Sequence, residues 1–265
     1  MNYRLFVTDL DGTLLDDKKH ISVETIDAIK KLYDKKVLFA VATGRAPRGI
    51  RRIIEEFSFD IPCICFNGAL IITSKSNENV FEQTLEPNDA LKVISLLNDE
   101  NYSFVVWKKH EVYSSKLSPE IISYANRYET VANIVTDFTP ISQLGIHKIL
   151  VTAEEDKIIT LQHKLQQMQF LSLDFYPSSA NYLEIVNSKT SKGIALEIIQ
   201  NKYSISPNET IVIGDSYNDL SMFEKAGLKI AMENAPLDIK KHADIIAKSN
   251  NEDGVCKIIK EIFFK

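Results

Sequence analysis

The stretch Leu5-Phe6-Val7 runs directly into Asp9-Leu10-Asp11-Gly12-Thr13. The apolar residues read as a buried strand, so the two aspartates project from that strand's carboxyl edge. In open α/β sheets this edge is where ligands bind. Asp and Gly are also common turn formers, so by itself the segment fits either a turn or a site.

Outward from this strand, the pattern is that of a parallel sheet. Ser22 caps a helix carrying Ile26, Ile29, Leu32 and Tyr33 on one face. Val37–Ala42 is a second strand, and Pro62–Phe66 a third. Between them, Ile50, Ile53, Ile54 and Phe57 form an i, i+3, i+4, i+7 stripe, which predicts a helix from Arg45 to Phe57. Near-continuous apolar strands separated by helices imply a parallel sheet covered on both faces. Beyond Pro87 the texture changes to an α+β unit, with helical stripes (Leu91, Ile94, Leu97; Ile158, Leu161, Leu165, Met168) alternating with more exposed strands. The parallel pattern returns with a helix at 190–203, a strand at 210–213 and a helix at 219–226. The expected organisation is a discontinuous core, 1–84 and 187–265, interrupted by an inserted domain, 85–186.

A second acidic strand end changes the reading of the first. Gly214-Asp215-Ser216-Tyr217-Asn218-Asp219 also follows an apolar strand. If the two strands are neighbours, four carboxylates converge, which is costly unless a cation offsets them. A hard, all-oxygen site of this kind suits Mg²⁺, an ion that works with phosphate. Thr43-Gly44-Arg45 ends the second strand and offers a hydroxyl and backbone N–H groups to an anion, although Thr43 also reads as a plain helix cap. Lys192, near the start of the returning helix, has a charge suited to balancing a phosphoryl group.

Composition narrows the alternatives. The chain has 265 residues, 45% of them hydrophobic, and a formal net charge of -5. That is enough to bury a substantial core. No basic stripe offers the counterion release that drives nucleic-acid binding, and no apolar run approaches a membrane span. Cys63, Cys65 and Cys256 read as reduced core residues, because an odd count with close spacing argues against a disulfide framework. The histidines have no metal-ligand spacing. A cytoplasmic enzyme with no nucleic-acid or membrane partner is expected.

Together these residues resemble the haloacid dehalogenase superfamily of phosphohydrolases, and within it the Cof-like branch with a large α/β cap. Its four motifs occur in order: Asp9-Leu10-Asp11-Gly12-Thr13, Thr43-Gly44-Arg45, Lys192-Gly193, and Gly214-Asp215 with Asn218-Asp219. Further echoes are Phe66-Asn67-Gly68-Ala69, Ala231-Met232-Glu233-Asn234-Ala235 and Asn251-Glu252-Asp253-Gly254-Val255. Glu233 departs from the glycine that this branch often carries. The resemblance implies a Rossmann-type parallel-sheet core with an inserted α+β cap. It also implies roles: Asp9 as nucleophile forming an aspartyl-phosphate, Asp11 as acid and base, and Mg²⁺ held by Asp9, the Asp11 carbonyl and Asp215, with Asp219 supporting that shell or the lysine. Leu10 (through its amide), Thr43, Gly44, Lys192 and Asn218 would hold the phosphoryl oxygens. Trp107, Lys108, Lys109, His110 and Arg127 are cap candidates for substrate contact, each also readable as cap core or solvated surface. The expected substrate is a small phosphorylated metabolite, first a sugar phosphate, then flavin mononucleotide or pyridoxal phosphate. The rival readings are a sugar-phosphate phosphomutase, a receiver-like signalling domain and a non-catalytic sugar-phosphate sensor.

Overall fold

The structure, a computed structural model, describes residues 3–265. The chain folds as two compact units. One comprises the segment ending at Arg45 together with Ile50–Phe81 and Ser191–Lys265; the other comprises Ala46–Gly49 and Glu82–Thr190.

In the first unit the elements run β1 (Leu5–Asp9), α1 (Val23–Asp34), β2 (Leu38–Ala42), α2 (Arg51–Glu55), β3 (Pro62–Cys65), β4 (Leu70–Thr73) and β5 (Asn79–Glu82). The second unit contributes α3 (Pro87–Asp99), β6 (Ser103–Lys108), β7 (Glu111–Ser114), α4 (Pro119–Arg127), β8 (Ala132–Ile134), α5 (Thr139–Gln143), β9 (Lys148–Thr152), α6 (Glu155–Gln167), β10 (Leu173–Ser179) and β11 (Tyr182–Asn187). The first unit then resumes with α7 (Lys192–Tyr203), β12 (Thr210–Gly214), α8 (Leu220–Phe223), β13 (Leu228–Met232), α9 (Leu237–Lys240), β14 (Ile245–Ala247) and α10 (Gly254–Phe263).

The first sheet has the order β14-β13-β12-β1-β2-β3-β4-β5. β1 pairs in parallel with β12 on one side and β2 on the other, with Leu5 opposite both Thr210 and Leu38. Successive strands thus lead away from β1 in one direction early in the chain and from β12 in the other direction late. That reversal is the switch point at which doubly wound sheets bind ligands. Every residue of β1 and β12 is buried, as expected of apolar strands covered on both faces. Leu5, Val7, Ala40, Ala42 and Val212 pack with Ala195, Leu196 and Ile199 of α7. Each such large aliphatic side chain contributes roughly 1.5–3 kcal/mol of burial.

Local signals set the helix ends. The Ser22 hydroxyl accepts the Thr25 N–H at the start of α1, and Ser191 accepts the Ile194 N–H at the start of α7. The buried face of α1 is Thr25, Ala28, Ile29 and Leu32. Tyr33 lies off it, half exposed, and stacks on Phe59. The helix expected from Arg45 to Phe57 is shorter: a 3₁₀ turn spans Pro47–Ile50 and α2 begins only at Arg51. Pro47 explains why no helical turn begins at Arg45, because the residue before a proline is pushed out of the helical region. The helix expected at 219–226 is likewise a 3₁₀ turn followed by the short α8.

The second unit is built on a sheet of order β10-β11-β9-β6-β7-β8, antiparallel except where β7 meets β8. One sheet face packs Phe104, Val106, Ile149, Val151, Leu183 and Ile185 against α3 and α6. Trp107 is fully buried and donates its indole N–H to the Tyr124 hydroxyl at 2.9 Å. Lys109 pairs with Glu82 at 2.9 Å, and the Arg127 guanidinium sits 5.9 Å from the Tyr182 ring centroid. Among the described residues no helix is long and apolar enough to cross a membrane.

Candidate active site

The first unit brings the two acidic strand ends together. Gly12 sits at φ +80°, and a Cβ there would come within 2.5 Å of the Asp215 carboxylate. Only glycine therefore permits both the turn and the close approach. Thr13 completes the contact, its hydroxyl donating to Asp215 Oδ1 at 2.6 Å.

Lys192 lies beneath these loops, fully buried, and donates to Asp9 Oδ1 at 2.6 Å and to Asp219 Oδ1 at 2.7 Å. The other Asp219 oxygen accepts the backbone N–H groups of Asp215 and Ser216, both at 3.0 Å. Asp219 thus spends both oxygens on fixing Lys192 and the β12 loop. Oxygens of Asp9, Asp215 and Asp219 lie within 4.8 Å of one another. With all three ionised, the carboxylates facing this one buried ammonium carry an excess of two negative charges, which a divalent cation would match.

The electrostatics follow from this crowding. Burial pushes the Asp9 carboxyl up to about 8; Asp219 and Asp215 add to the shift, and Lys192 offsets only part of it. Burial also dominates at Asp215, whose carboxyl is raised despite the Thr13 hydroxyl. Burial alone would lower Lys192, but Asp219 and Asp9 outweigh it, so the ammonium is held protonated.

Asp11 stands apart from that cluster. Its carboxylate accepts hydrogen bonds from Arg45 Nε at 2.7 Å and Arg45 Nη2 at 2.6 Å, a bidentate fork, and from Lys19 Nζ at 2.9 Å. Partial burial is the largest single influence on this group and raises it, but the hydrogen bonds and charges of Arg45 and Lys19 together hold it below the usual carboxylate range.

The anion-binding candidates line the neighbouring strand ends. Leu10 is fully buried, in the turn between the two aspartates. Thr43 is buried, and its hydroxyl accepts the Arg45 N–H at 3.1 Å. Because α2 starts at Arg51, the Thr43-Gly44 turn is a loop and not a helix start. Asn218 is exposed and donates to Asn67 Oδ1 at 3.0 Å. Thr13, Lys19 and Asn67 were not among the residues expected at the site. Thr13 and Asn67 lie inside quoted motifs; Lys19 had no sequence signal. The other echoes have structural places: Asn234 donates to the Gly12 carbonyl at 2.8 Å and accepts the Asn250 N–H at 3.1 Å. Glu233 lies on the surface, 3.6 Å from Lys248.

Comparison with known proteins agrees with this geometry. Residues 6–259 match the family model of the haloacid dehalogenase-like hydrolases. The chain is 32% identical over 280 residues to the 5-amino-6-(5-phospho-D-ribitylamino)uracil phosphatase YwtE of Bacillus subtilis, covering 96% of each protein. Among solved structures it is similar to TM0651 from Thermotoga maritima (TM-score 0.91, 30% identity, 99% of this chain and 98% of that one). It is also similar to a haloacid dehalogenase-like hydrolase from Bacteroides thetaiotaomicron (TM-score 0.92, 28% identity, 99% and 100%). A mainly parallel sheet with its acidic residues at the switch point, matched over nearly the whole chain, leaves one assignment: the protein belongs to the haloacid dehalogenase-like hydrolase family, as an enzyme of the phosphatase type.

Proposed function

We propose that the enzyme is a Mg²⁺-dependent phosphatase that hydrolyses a small phosphorylated metabolite through an aspartyl-phosphate on Asp9. The observation that carries this reading is the clustering of the Asp9, Asp215 and Asp219 carboxyl groups beside a single buried ammonium. Asp9, Asp215 and the Asp11 carbonyl would hold the ion, with Asp219 supporting them through Lys192 and the β12 loop. When bound, Mg²⁺ supplies charge neutralisation at the phosphoryl oxygens.

Asp9 attacks phosphorus, and the Asp9–phosphorus bond forms as the bond to the leaving oxygen breaks. Asp11 gives that oxygen a proton; it then takes one from the water that releases phosphate and regenerates Asp9. Arg45 and Lys19 favour its ionised form, which suits the second half-reaction. To donate in the first half, the carboxyl must exchange these partners for the leaving oxygen. Lys192 and Asn218, the Leu10 amide, Thr43 and Gly44 hold the phosphoryl oxygens.

A phosphorylated sugar or polyol is the substrate class this reading favours. It is supported by the phosphoribityl group in the name of the Bacillus subtilis relative. Screening phosphorylated metabolites with free-phosphate detection tests both parts. Activity should vanish with EDTA and return with Mg²⁺. Turnover indifferent to chelation would remove the metal from the reading, and an isomeric sugar phosphate in place of free phosphate would make the enzyme a mutase.

A further inference from the structure

The Phe66-Asn67-Gly68 turn after β3 has no role in the chemistry above, yet its backbone is unusual. Phe66 (φ 50°), Asn67 (φ 55°) and Gly68 (φ 106°) are three successive left-handed residues. For a bulky, fully buried phenylalanine this conformation is costly, and such strain persists only where surrounding contacts impose it. Those contacts come from the Thr43-Gly44-Arg45 motif and from the residue that precedes the Lys192-Gly193 motif. The Phe66 N–H donates to the Arg45 carbonyl at 3.0 Å, and the Asn67 N–H to the Thr43 carbonyl at 3.0 Å. A Cβ on Gly68 would lie 2.2 Å from the Ser191 carbonyl, immediately before Lys192.

The turn delivers one side chain to two proposed phosphate-binding positions. Asn67 Oδ1 accepts the Asn218 side-chain N–H at 3.0 Å, 151 residues away in sequence. The same amide lies against Gly44, where a Cβ would be 3.1 Å from Asn67 Oδ1 and 3.2 Å from Nδ2. Asn218 is exposed on a 3₁₀ turn, so an untethered amide would sample several rotamers and lose that freedom on binding. Asparagine is also the side-chain-bearing residue that best tolerates a left-handed backbone.

We propose that Asn67 is a positioning residue of the phosphoryl site, orienting the Asn218 amide and bounding the space beside Gly44. The inference rests on the phosphate-binding reading of Asn218. It is tested in the full-length enzyme at saturating Mg²⁺ with Asn67→Gly, Asn218→Ala and the double variant. The readouts are KM and kcat for p-nitrophenyl phosphate and calorimetric affinity for inorganic phosphate, with Tm as a folding control. Glycine keeps the left-handed turn while removing the amide. Asn67→Gly should raise KM and weaken phosphate binding about three- to tenfold, the scale of one hydrogen bond, with kcat less affected. The double variant should bind phosphate no more weakly than Asn218→Ala. Native affinity in Asn67→Gly, or its full factor recurring on top of Asn218→Ala, would overturn the inference and leave the phosphatase reading intact. An Asn218→Ala enzyme that binds phosphate normally would remove the reading of Asn218 and this inference with it. If Asn67→Gly lowers Tm, Asn67→Asp tests the same position: a carboxylate there should weaken phosphate binding further than glycine does, and native affinity would again refute the placement.

Discussion

The floor of the site and its rim hold two aspartates that are neighbours but one in sequence, in opposite electrostatic states. On the floor, Asp9 is buried with Lys192, Asp219 and Asp215, and its carboxyl is pushed up. On the rim, the Asp11 side chain is 38% exposed, sits in an Arg45 fork beside Lys19, and is pushed down. The floor is set by burial and by short, fixed contacts. The rim is set by long cationic side chains that can exchange partners. On the proposed mechanism, two titratable groups driven apart in this way would divide a two-step reaction between them, one as fixed nucleophile and one as mobile proton carrier.

The largest test of that division is Asp9 itself. Asp9→Asn should lower kcat by on the order of 10⁴-fold or more in a free-phosphate assay, as removal of a nucleophile does; substantial residual turnover would erase the distinction. On the rim, Asp11→Asn should slow turnover by about 10²–10⁴-fold with a poor alkoxide leaving group. The loss should be smaller with p-nitrophenyl phosphate, whose leaving group needs little protonation. Equal losses with both substrates would argue against proton donation by Asp11.

The floor also makes a prediction about pH. Because the folded Asp9 carboxyl sits at about 8 against 3.8 in the unfolded chain, its contribution to stability is complete below about pH 4. That contribution is lost as pH rises through about 8. A cation must displace that proton, so calorimetric Mg²⁺ affinity should rise between pH 5 and 8, by up to about tenfold per unit, and flatten above. A flat profile would mean that no proton leaves Asp9 when the ion binds, and would break the link between its raised carboxyl and the metal site. The smallest expected effect is at the join between the two strand ends. Thr13→Val removes the hydroxyl that holds Asp215 and should weaken Mg²⁺ binding about three- to tenfold with little change in Tm.

Much of the core was readable because its signals are local. Leu5-Phe6-Val7 and Thr210-Ile211-Val212-Ile213 are apolar enough to be buried on both faces wherever they pair, and Ser22 marks a helix start by a hydrogen bond three residues ahead. The second unit was harder. β7 and β8 are short, and Glu111-Val112-Tyr113-Ser114 carries too few apolar residues for a period to register. The helix expected from Arg45 does not begin there, because the steric demand of Pro47 on Ala46 acts locally whatever the apolar stripe beyond it.

The sequence by itself determined which residue types stand at the strand ends, since strand length and apolar content put Asp9, Asp11, Asp215 and Asp219 at carboxyl edges wherever those strands lie. Only the tertiary structure decided that β1 and β12 are neighbours, that Lys192 is buried between Asp9 and Asp219, and that Arg45, Lys19 and Asn67 reach into the site. The physical reason is range. Periodicity, caps and turns act over a few residues, whereas charge balance, desolvation and side-chain reach depend on distances in space that no local pattern encodes.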